Sequence, residues 1–303
     1  MQRDNGWKKD FTKNKYLYYM MIPVLLYYLI FHYFPMYGLI IAFKEYSPNL
    51  GILGSKFIGV RNFKDFFGSL NFIRTLTNTL GINLKGLIFG FPAPIILALL
   101  LNEIKTGWFK RTVQTVTYLP HFISVMVICG MIIDFTASNG LIGNIIYFIT
   151  GERMNVLLQV DMFQGIYVGT DIWQGVGWGS IIYLAALSGI DQQLYEAAVI
   201  DGASRWKQTI NITIPSIMPT ILIMFILKIG QMMNLGFEKI MLLSNDTVMA
   251  KADVISYYTY RVGLYGGDYS YGTAVGLFNS VINCFLLFFA NTITKKLSDS
   301  HLW

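Results

Sequence analysis

Apolar residues in this sequence form long runs separated by short polar segments. A bilayer core about 30 Å thick requires roughly 20 apolar residues of helix, each rising about 1.5 Å. Six windows of this length occur, over residues 16–43, 72–101, 112–133, 163–190, 215–243 and 269–294. The pattern therefore predicts an all-α membrane protein in which residues 1–303 form one domain of six transmembrane helices.

Two further segments lie between the predicted spans. Residues 46–70 contain Pro48, Gly51 and Gly54, followed by alternating aromatic and charged residues, which predicts a turn and a short interfacial helix. Residues 140–150 are apolar but too short to cross a bilayer. They are interpreted as a surface or re-entrant helix on the outer side.

Lysine and arginine predict the orientation. With the N-terminus in the cytoplasm, the cytoplasmic segments contain 12 of these residues and the opposite side contains 7, spread over longer segments. Cytoplasmic loops of membrane proteins carry an excess of Lys and Arg. Both termini, the loop at residues 102–111 and the interval at residues 191–214 are therefore expected in the cytoplasm of a bacterial cell.

Composition supports a membrane location and excludes other classes. Hydrophobic residues make up 54% of the chain and charged residues 13%, about half the usual ~25% of globular proteins. A soluble enzyme and a disordered chain are both excluded by these values. The net charge of +6 does not indicate nucleic acid, because the basic residues flank apolar segments rather than forming a stripe.

No motif for a resident metal or cofactor occurs. The two cysteines, Cys129 and Cys284, each lie in an apolar stretch, and the three histidines are far apart in sequence. No G-x-x-x-x-G-K-[ST] phosphate-binding loop is found. We therefore expect no metal site, no nucleotide cofactor and no catalytic residues in this chain.

The polar interval between the fourth and fifth predicted spans, residues 191–214, is the most informative segment. Leu194–Ile200 has the residues of a short helix, Asp201-Gly202 can end it, and Ser204 can begin another. Small residues would allow a partner's backbone to approach closely. The interval therefore predicts a compact helix–turn–helix on the membrane surface.

This interval resembles the EAA loop of permease subunits of binding-protein-dependent ABC importers. The resemblance rests on the run Glu196-Ala197-Ala198-x-x-Asp201-Gly202-Ala203 and on Pro215, fourteen residues after Asp201. In that family the loop forms the coupling helix, which docks into a groove on the cytoplasmic ATPase. The family usually has Phe where this chain has Thr209, and we expect Trp206 or Ile210 to make the corresponding contact.

The resemblance extends over most of the chain. The runs Phe34–Gly38, Gly59–Phe63, Asn78-Thr79 and Tyr118–Ser124 resemble the carbohydrate branch of the family. Within that branch they are most similar to permeases for complex oligosaccharides, including uronate-containing ones such as alginate fragments.

The resemblance implies a type I importer fold and a set of partners. These are a homologous second permease, two cytoplasmic ATPases that bind ATP and Mg²⁺, and an extracytoplasmic solute-binding protein that delivers an oligosaccharide. ATP hydrolysis is expected in the partner chains.

Ionisable and polar residues inside the spans are candidates for the substrate pathway, because burial of such groups in a bilayer is costly. On a helix through residues 215–243, Lys228, Gln231, Asn234 and Glu238 would share about 120° of arc. On the fourth span, Asp171, Gln174 and Trp178 share about 60°. Lys85 on the second span would lie at a similar depth.

Two interpretations of these residues remain open. In the first, they line a sugar path, where Trp173 or Trp178 stacks on pyranose rings and Gln231 and Asn234 bind hydroxyl groups. In the second, they form a packing network in which Asp171 neutralises Lys85 or Lys228. The glycine pairs Gly86/Gly90 and Gly175/Gly179 are interpreted as close helix packing.

Two other function classes are weighed against an importer permease. A secondary transporter would require inverted repeats and a buried carboxylate relay, and neither is visible in the sequence. A membrane enzyme would require a nucleophile–base pair or a metal-ligand cluster at membrane depth, which is also not seen.

Overall fold

The computed structural model describes residues 6–297. Residues 1–5 and 298–303 lie outside the described residues. The predicted cytoplasmic position of the two chain ends therefore also lies outside them. Within the described residues the protein is almost entirely helical, apart from one two-stranded hairpin in which Lys44–Glu45 pairs antiparallel with Lys56–Phe57.

The first, second and sixth predicted spans are long helices in the structure. The first runs from Gly6 to Phe43 and changes from α to π at Leu29 and to 3₁₀ at Phe34. We call the second the second-span helix, and it comprises Leu70–Lys85, a π turn at Gly86–Gly90 and Pro92–Glu103. The sixth-span helix is Tyr269–Leu297. Apolar runs long enough to cross a bilayer made these helices predictable, although the first two contain interior prolines.

The third predicted span, residues 112–133, is wrong as one helix. The helical stretch Trp108–Phe122 ends after Pro120, Ile123 is extended, and Ser124 caps a new helix at Val125–Thr136. Leu141–Thr150 is a separate helix after a tight turn. The predicted short helix at residues 140–150 is therefore present.

The fifth predicted span, residues 215–243, is also wrong in its bounds. The fifth-span helix begins in the polar interval, at Arg205, and its segments Arg205–Gln208, Thr209–Thr213 and Ile214–Ile229 are continuous. It ends at Ile229, and a separate short helix follows at Phe237–Leu243. The hydropathy continues across this break, but the helix does not.

Within residues 6–297, five helical stretches are long and apolar enough to cross a membrane: Asp10–Phe43, Leu70–Glu103, Val125–Thr150, Arg205–Ile229 and Tyr269–Thr292. The predicted fourth span is a helix of 26 residues, Phe163–Ser188, which we call the fourth-span helix. Its length of about 39 Å is sufficient to cross a bilayer. It is not among the five, because glutamines, Asp171 and many glycines lower its hydropathy.

Short elements complete the fold. The predicted interfacial helix is present as Arg61–Gly68. The remaining elements are Gly51–Gly54, Val156–Leu158, Gln192–Ile200, Met249–Ala252, Ile255–Thr259 and the π turn Tyr260–Tyr265.

Asparagine side chains satisfy the backbone where helices are interrupted. After the fifth-span helix ends, Asn283 on the sixth-span helix donates to the carbonyl of Gly230 and accepts from the amide of Met233 at 3.2 Å. Asn279 donates to the carbonyl of Met233 at 3.1 Å. Backbone groups at membrane depth require protein partners, because lipid provides none.

A buried charge cluster joins the second-span helix to the segment before the sixth. Asp253 is fully buried and accepts from Arg74 at 2.6 Å and from Arg261 at 2.9 Å. Both arginines keep more than a third of their side-chain surface exposed, at 39% and 37%. A buried carboxylate of this kind requires its partners.

Removal of the Asp253 carboxylate should therefore destabilise the protein. We expect Asp253→Ala to cost about 3 kcal/mol, the lower end of the range for breaking a buried ion pair, because the arginines left behind reach solvent. Thermal unfolding in detergent measures the effect. The control is Asp65→Ala, which removes an exposed pair with Arg61 at 3.7 Å and should cost less than about 1 kcal/mol. Equal melting temperatures for the two variants would contradict a structural role for Asp253.

The predicted orientation can be tested by cysteine labelling of intact cells in a Cys284→Ser background. An impermeant maleimide should modify cysteines at the exposed positions Leu53 and Asp246, and should not modify cysteines at Ile200 or Ser204. Cys129 is buried and should stay unlabelled. Modification at Ser204 from outside would overturn the predicted orientation.

Candidate functional site

The polar interval folds as two helical segments joined by a tight turn, as predicted. Asp191 caps the first helix, Gln192–Ile200, by accepting from the amide of Gln193 at 3.0 Å. Gly202 has φ of 71°, a left-handed conformation that glycine adopts without strain. Ser204 then caps the fifth-span helix by accepting from the amide of Lys207. We call Gln192–Ala203 the coupling loop.

The coupling loop presents its predicted contact residues to solvent. Glu196, Ala197, Asp201, Gly202 and the nearby Trp206 are exposed, while Ala198 and Ala203 are half-buried. Large apolar side chains are also exposed: Val199 at 64% and Ile200 at 85% in the loop, and Trp206 at 72% at the start of the fifth-span helix. Exposed apolar side chains in one polar segment are typical of a surface that contacts a partner protein.

Two side-chain contacts hold the coupling loop and the start of the fifth-span helix against neighbouring helices. The Tyr195 hydroxyl lies 2.9 Å from the Thr213 hydroxyl on the fifth-span helix. Arg205 donates to Glu103, at the end of the second-span helix, at 2.6 Å. Above them an apolar cluster packs the second, fourth and fifth helices together around Ala98, Leu187 and Ile217.

A cavity of about 350 Å³ lies among the second-, fourth- and fifth-span helices. Its polar lining includes Asp171, Lys228 and Gln231 from the predicted pathway set. The second-span helix contributes its π turn and Pro94, and the fourth contributes Gly175 and Gly179.

The glycine pairs have mixed roles. A Cβ at Gly179 would lie 3.1 Å from Pro94, and one at Gly90 would lie 3.5 Å from Ile172, so these two positions are close packing contacts. A Cβ at Gly86 or Gly175 would meet no atom within 4 Å. All four glycines line the cavity, and one member of each pair, Gly90 and Gly179, also makes a close packing contact.

The charge partner of Asp171 differs from both predicted alternatives. Asp171 forms an ion pair with Lys239, from the short helix Phe237–Leu243, and not with Lys85 or Lys228. Lys239 is buried, and its ammonium group also lies 4.5 Å from the ring centre of Tyr167. The sequence analysis missed Lys239 because, on a continuous fifth helix, this residue would lie about 16 Å further along the axis than Lys228.

The predicted common face on a fifth helix is also wrong, because that helix ends at Ile229. Lys228 and Gln231 still line the same cavity, but Asn234 and Glu238 are not among its lining residues. Asn234 instead accepts weakly from Asn279, at 3.5 Å. Among the described residues, Lys228 has no carboxylate within ion-pair distance.

Lys85 belongs to a different network. Its ammonium group donates to Gln164 at 2.9 Å, and Gln164 donates in turn to the carbonyl of Lys251 at 3.2 Å. Asn78 donates to the carbonyls of Ala250 and Asp253. Asn78 bonds the backbone of residues 250–253 directly, and Lys85 does so through Gln164. Neither Asn78 nor Lys85 lines the cavity.

Gln174 and Trp178 lie beside the break in the third predicted span. Gln174 donates to the carbonyl of Ile123 at 3.5 Å. Trp178 is half exposed and stacks in parallel on His121, with ring centres 4.6 Å apart. The helices approach closely here, because a Cβ at Gly177 would lie 2.1 Å from the carbonyl oxygen of Thr117.

No group of three or more His, Cys, Asp or Glu side chains that could hold a metal ion occurs within residues 6–297.

Comparison with known proteins places this geometry in context. A family model described as "Binding-protein-dependent transport system inner membrane component" matches residues 90–299. Protein LplB of Bacillus subtilis is 45% identical over 98% of this chain and 94% of its own length. The polygalacturonan/rhamnogalacturonan transport system permease protein YteP of the same organism is 44% identical over 96% of this chain and 91% of its own length.

Solved structures are similar over nearly the whole chain. A crystal structure of a bacterial ABC transporter involved in the import of the acidic polysaccharide alginate matches 97% of this chain and 100% of its own, with a TM-score of 0.89 and 40% identity. A second crystal structure, of the bacterial alginate ABC transporter in complex with an alginate pentasaccharide-bound periplasmic protein, matches with the same TM-score and identity.

Proposed function

The chain belongs to the family of inner membrane components of binding-protein-dependent transport systems, and we propose that its substrate is an acidic oligosaccharide. It is the permease of a sugar or oligosaccharide ABC importer and lies in the bacterial cytoplasmic membrane. It has the type I importer fold. The alternative of an independent secondary transporter is thereby set aside.

The proposed assembly places two permeases side by side above two ATPases. An extracytoplasmic binding protein would deliver the oligosaccharide, as the similar transporter in complex with its periplasmic protein suggests by analogy. ATP and Mg²⁺ would be bound by the ATPases, because this sequence has no phosphate-binding loop of the Walker type. This chain then supplies one wall of the sugar path and one coupling loop.

The coupling loop is proposed to dock on the ATPase. Its exposed Val199, Ile200 and Trp206 provide the apolar contact, and Glu196 and Asp201 provide charge around it. Closure of the ATPase dimer would move this loop, and the attached helices would move from an inward-facing to an outward-facing arrangement. Such a shift requires that each state bind its partners with different affinity.

The acidic substrate is inferred from the charges around the cavity. Asp171 lines the cavity but is paired with buried Lys239, which does not. The ammonium group of Lys228 is therefore left without a matching carboxylate among the described residues. A uronate carboxylate could bind Lys228 through a charge-assisted hydrogen bond. Gln231 beside it could bind sugar hydroxyls. The unmatched Lys228 is the observation that carries the proposal.

Other pathway residues have weaker support. Trp178 and His121 present an aromatic pair near the break at Ile123, and Trp178 remains a candidate for stacking on a pyranose ring. The amide of Gln174 already donates to the carbonyl of Ile123, and Asn234 already accepts from Asn279. Relatives named for polygalacturonan and for the acidic polysaccharide alginate agree with an acidic sugar.

The turn at Gly202 provides a test of coupling. Gly202→Val should reduce uptake by about tenfold or more, because a β-branched residue in the left-handed region costs upwards of about 1–2 kcal/mol and would distort the loop. Uptake in proteoliposomes that contain the complete transporter measures this, and surface labelling checks membrane insertion.

The matched control is Gly202→Asn, since asparagine tolerates the left-handed conformation. A Cβ at position 202 meets no atom of the described residues within 4 Å, so the two variants differ mainly in how well they tolerate the left-handed backbone. Uptake by Gly202→Asn should stay near wild type. If Gly202→Val also transports normally, the coupling role of the loop is wrong.

Replacement of Lys228 provides a test of the substrate class. Lys228→Gln should reduce uptake of an acidic oligosaccharide at low concentration by about tenfold, because a hydrogen bond to a charged group contributes about 1.5–3 kcal/mol. Uptake of the carboxyl-reduced, neutral analogue should change little.

Lys85→Gln is the matched control, since Lys85 also lies within a span but does not line the cavity. It should affect both sugars equally or not at all. Equal losses on both sugars for Lys228→Gln would identify Lys228 as a structural residue and remove the argument for an acidic substrate.

A further inference from the structure

We propose that the ion pair between Arg205 and Glu103 is a mechanical link that makes the second-span helix move with the coupling loop. The proposal rests on the coupling role proposed above for residues 192–203. Arg205 and Glu103 would act as positioning residues for transport, since neither lines the cavity.

The pair joins two elements that are far apart in sequence. Arg205 is the first residue of the fifth-span helix, three positions after Gly202, and Glu103 is the last residue of the second-span helix. The guanidinium and carboxylate groups are 2.6 Å apart. The ion pair therefore connects the start of the fifth-span helix, two residues after the coupling loop ends, to a helix that is not its chain neighbour.

Stability does not explain this contact. The side chains are 82% and 47% exposed, and exposed ion pairs contribute little to folding. The apolar cluster around Ala98 and Ile217 already packs the same helices together. A role in which the pair transmits displacement fits its position better than a role in holding the fold.

The second-span helix leads from this link to the cavity. Glu103 lies at its cytoplasmic end under the predicted orientation, and its Gly86–Pro94 stretch lines the cavity beside Lys228. The stretch includes a π turn and two prolines, where a helix can bend. A displacement of Glu103 can thus change the shape of the cavity.

A neighbouring contact ties the loop to the fifth-span helix. Tyr195 reaches Thr213 at 2.9 Å, and both line a small polar pocket of about 240 Å³ together with Arg205 and Glu103. Loss of the ion pair would remove the direct polar contact between the second-span helix and the start of the fifth-span helix, while the apolar cluster and the Tyr195–Thr213 contact remain. We therefore expect partial uncoupling, and not complete loss of transport.

Charge reversal in the complete transporter tests the link. We expect Glu103→Arg and Arg205→Glu each to lower about fivefold the stimulation of ATPase activity by sugar-loaded binding protein, and the double reversal to restore most of it. Melting temperatures of all three should stay near wild type. The control is the same reversal of Arg61 and Asp65, an exposed pair within one helix, which should leave stimulation unchanged.

Each outcome decides the proposal. Normal stimulation in both single variants would overturn it. If Arg205→Glu uncouples and Glu103→Arg does not rescue it, Arg205 acts on the ATPase instead, and the link is again wrong. Gly202→Val separates this failure from failure of the coupling loop: if the loop has no coupling role, that variant is also stimulated normally.

Discussion

Backbone polar groups inside a bilayer must be bonded by the protein, and this constraint determines how the interrupted helices of the chain are held. Each of three interruptions at or near membrane depth is matched by a carboxamide side chain from another element. Asn283 and Asn279 bond the end of the fifth-span helix, and Gln174 reaches Ile123 in the third. Asn62 donates to the carbonyl of Ala42 at the end of the first span. Hydrophobic packing alone would leave these groups unpaired, at a cost of several kcal/mol each in hydrocarbon.

Charged side chains inside a bilayer also require partners, and the presence or absence of a partner distinguishes structural charges from those available to a substrate. Asp253 is matched by two arginines, Asp171 by Lys239, and Lys85 by the amide of Gln164. These pairs account for most ionisable groups of the helical interior by contacts within the chain. Lys228 is different, because it lines a cavity and has no described carboxylate partner. A ligand that completes this set of contacts is more strongly favoured there than at any of the matched charges.

Sequence patterns predicted the elements that depend on local information. The first, second and sixth spans follow from apolar runs long enough to cross a bilayer, and the coupling loop follows from Gly202 and Ser204, whose turn and capping roles are local. The predicted bounds of the fifth span were wrong because the apolar character of the sequence continues past the residue at which the helix ends. Gly230 and Gly236 are signals that could have indicated the break. The partner of Asp171 could not be predicted, because Lys239 reaches it only once that break redirects the chain.

The helix breaks would also determine which parts of the chain move if the coupling loop acts as proposed. A continuous fifth span would carry displacement of the coupling loop straight through the membrane. In the structure that helix ends at Ile229, one residue after Lys228, and the following segment is fixed to the sixth-span helix by Asn283. Motion from the cytoplasm is therefore expected to reach the cavity wall at Lys228 and to be resisted beyond it. The second-span helix passes the same cavity with a π turn and prolines at that level. Deformation should thus concentrate around the cavity, where it can change the contacts offered to a sugar.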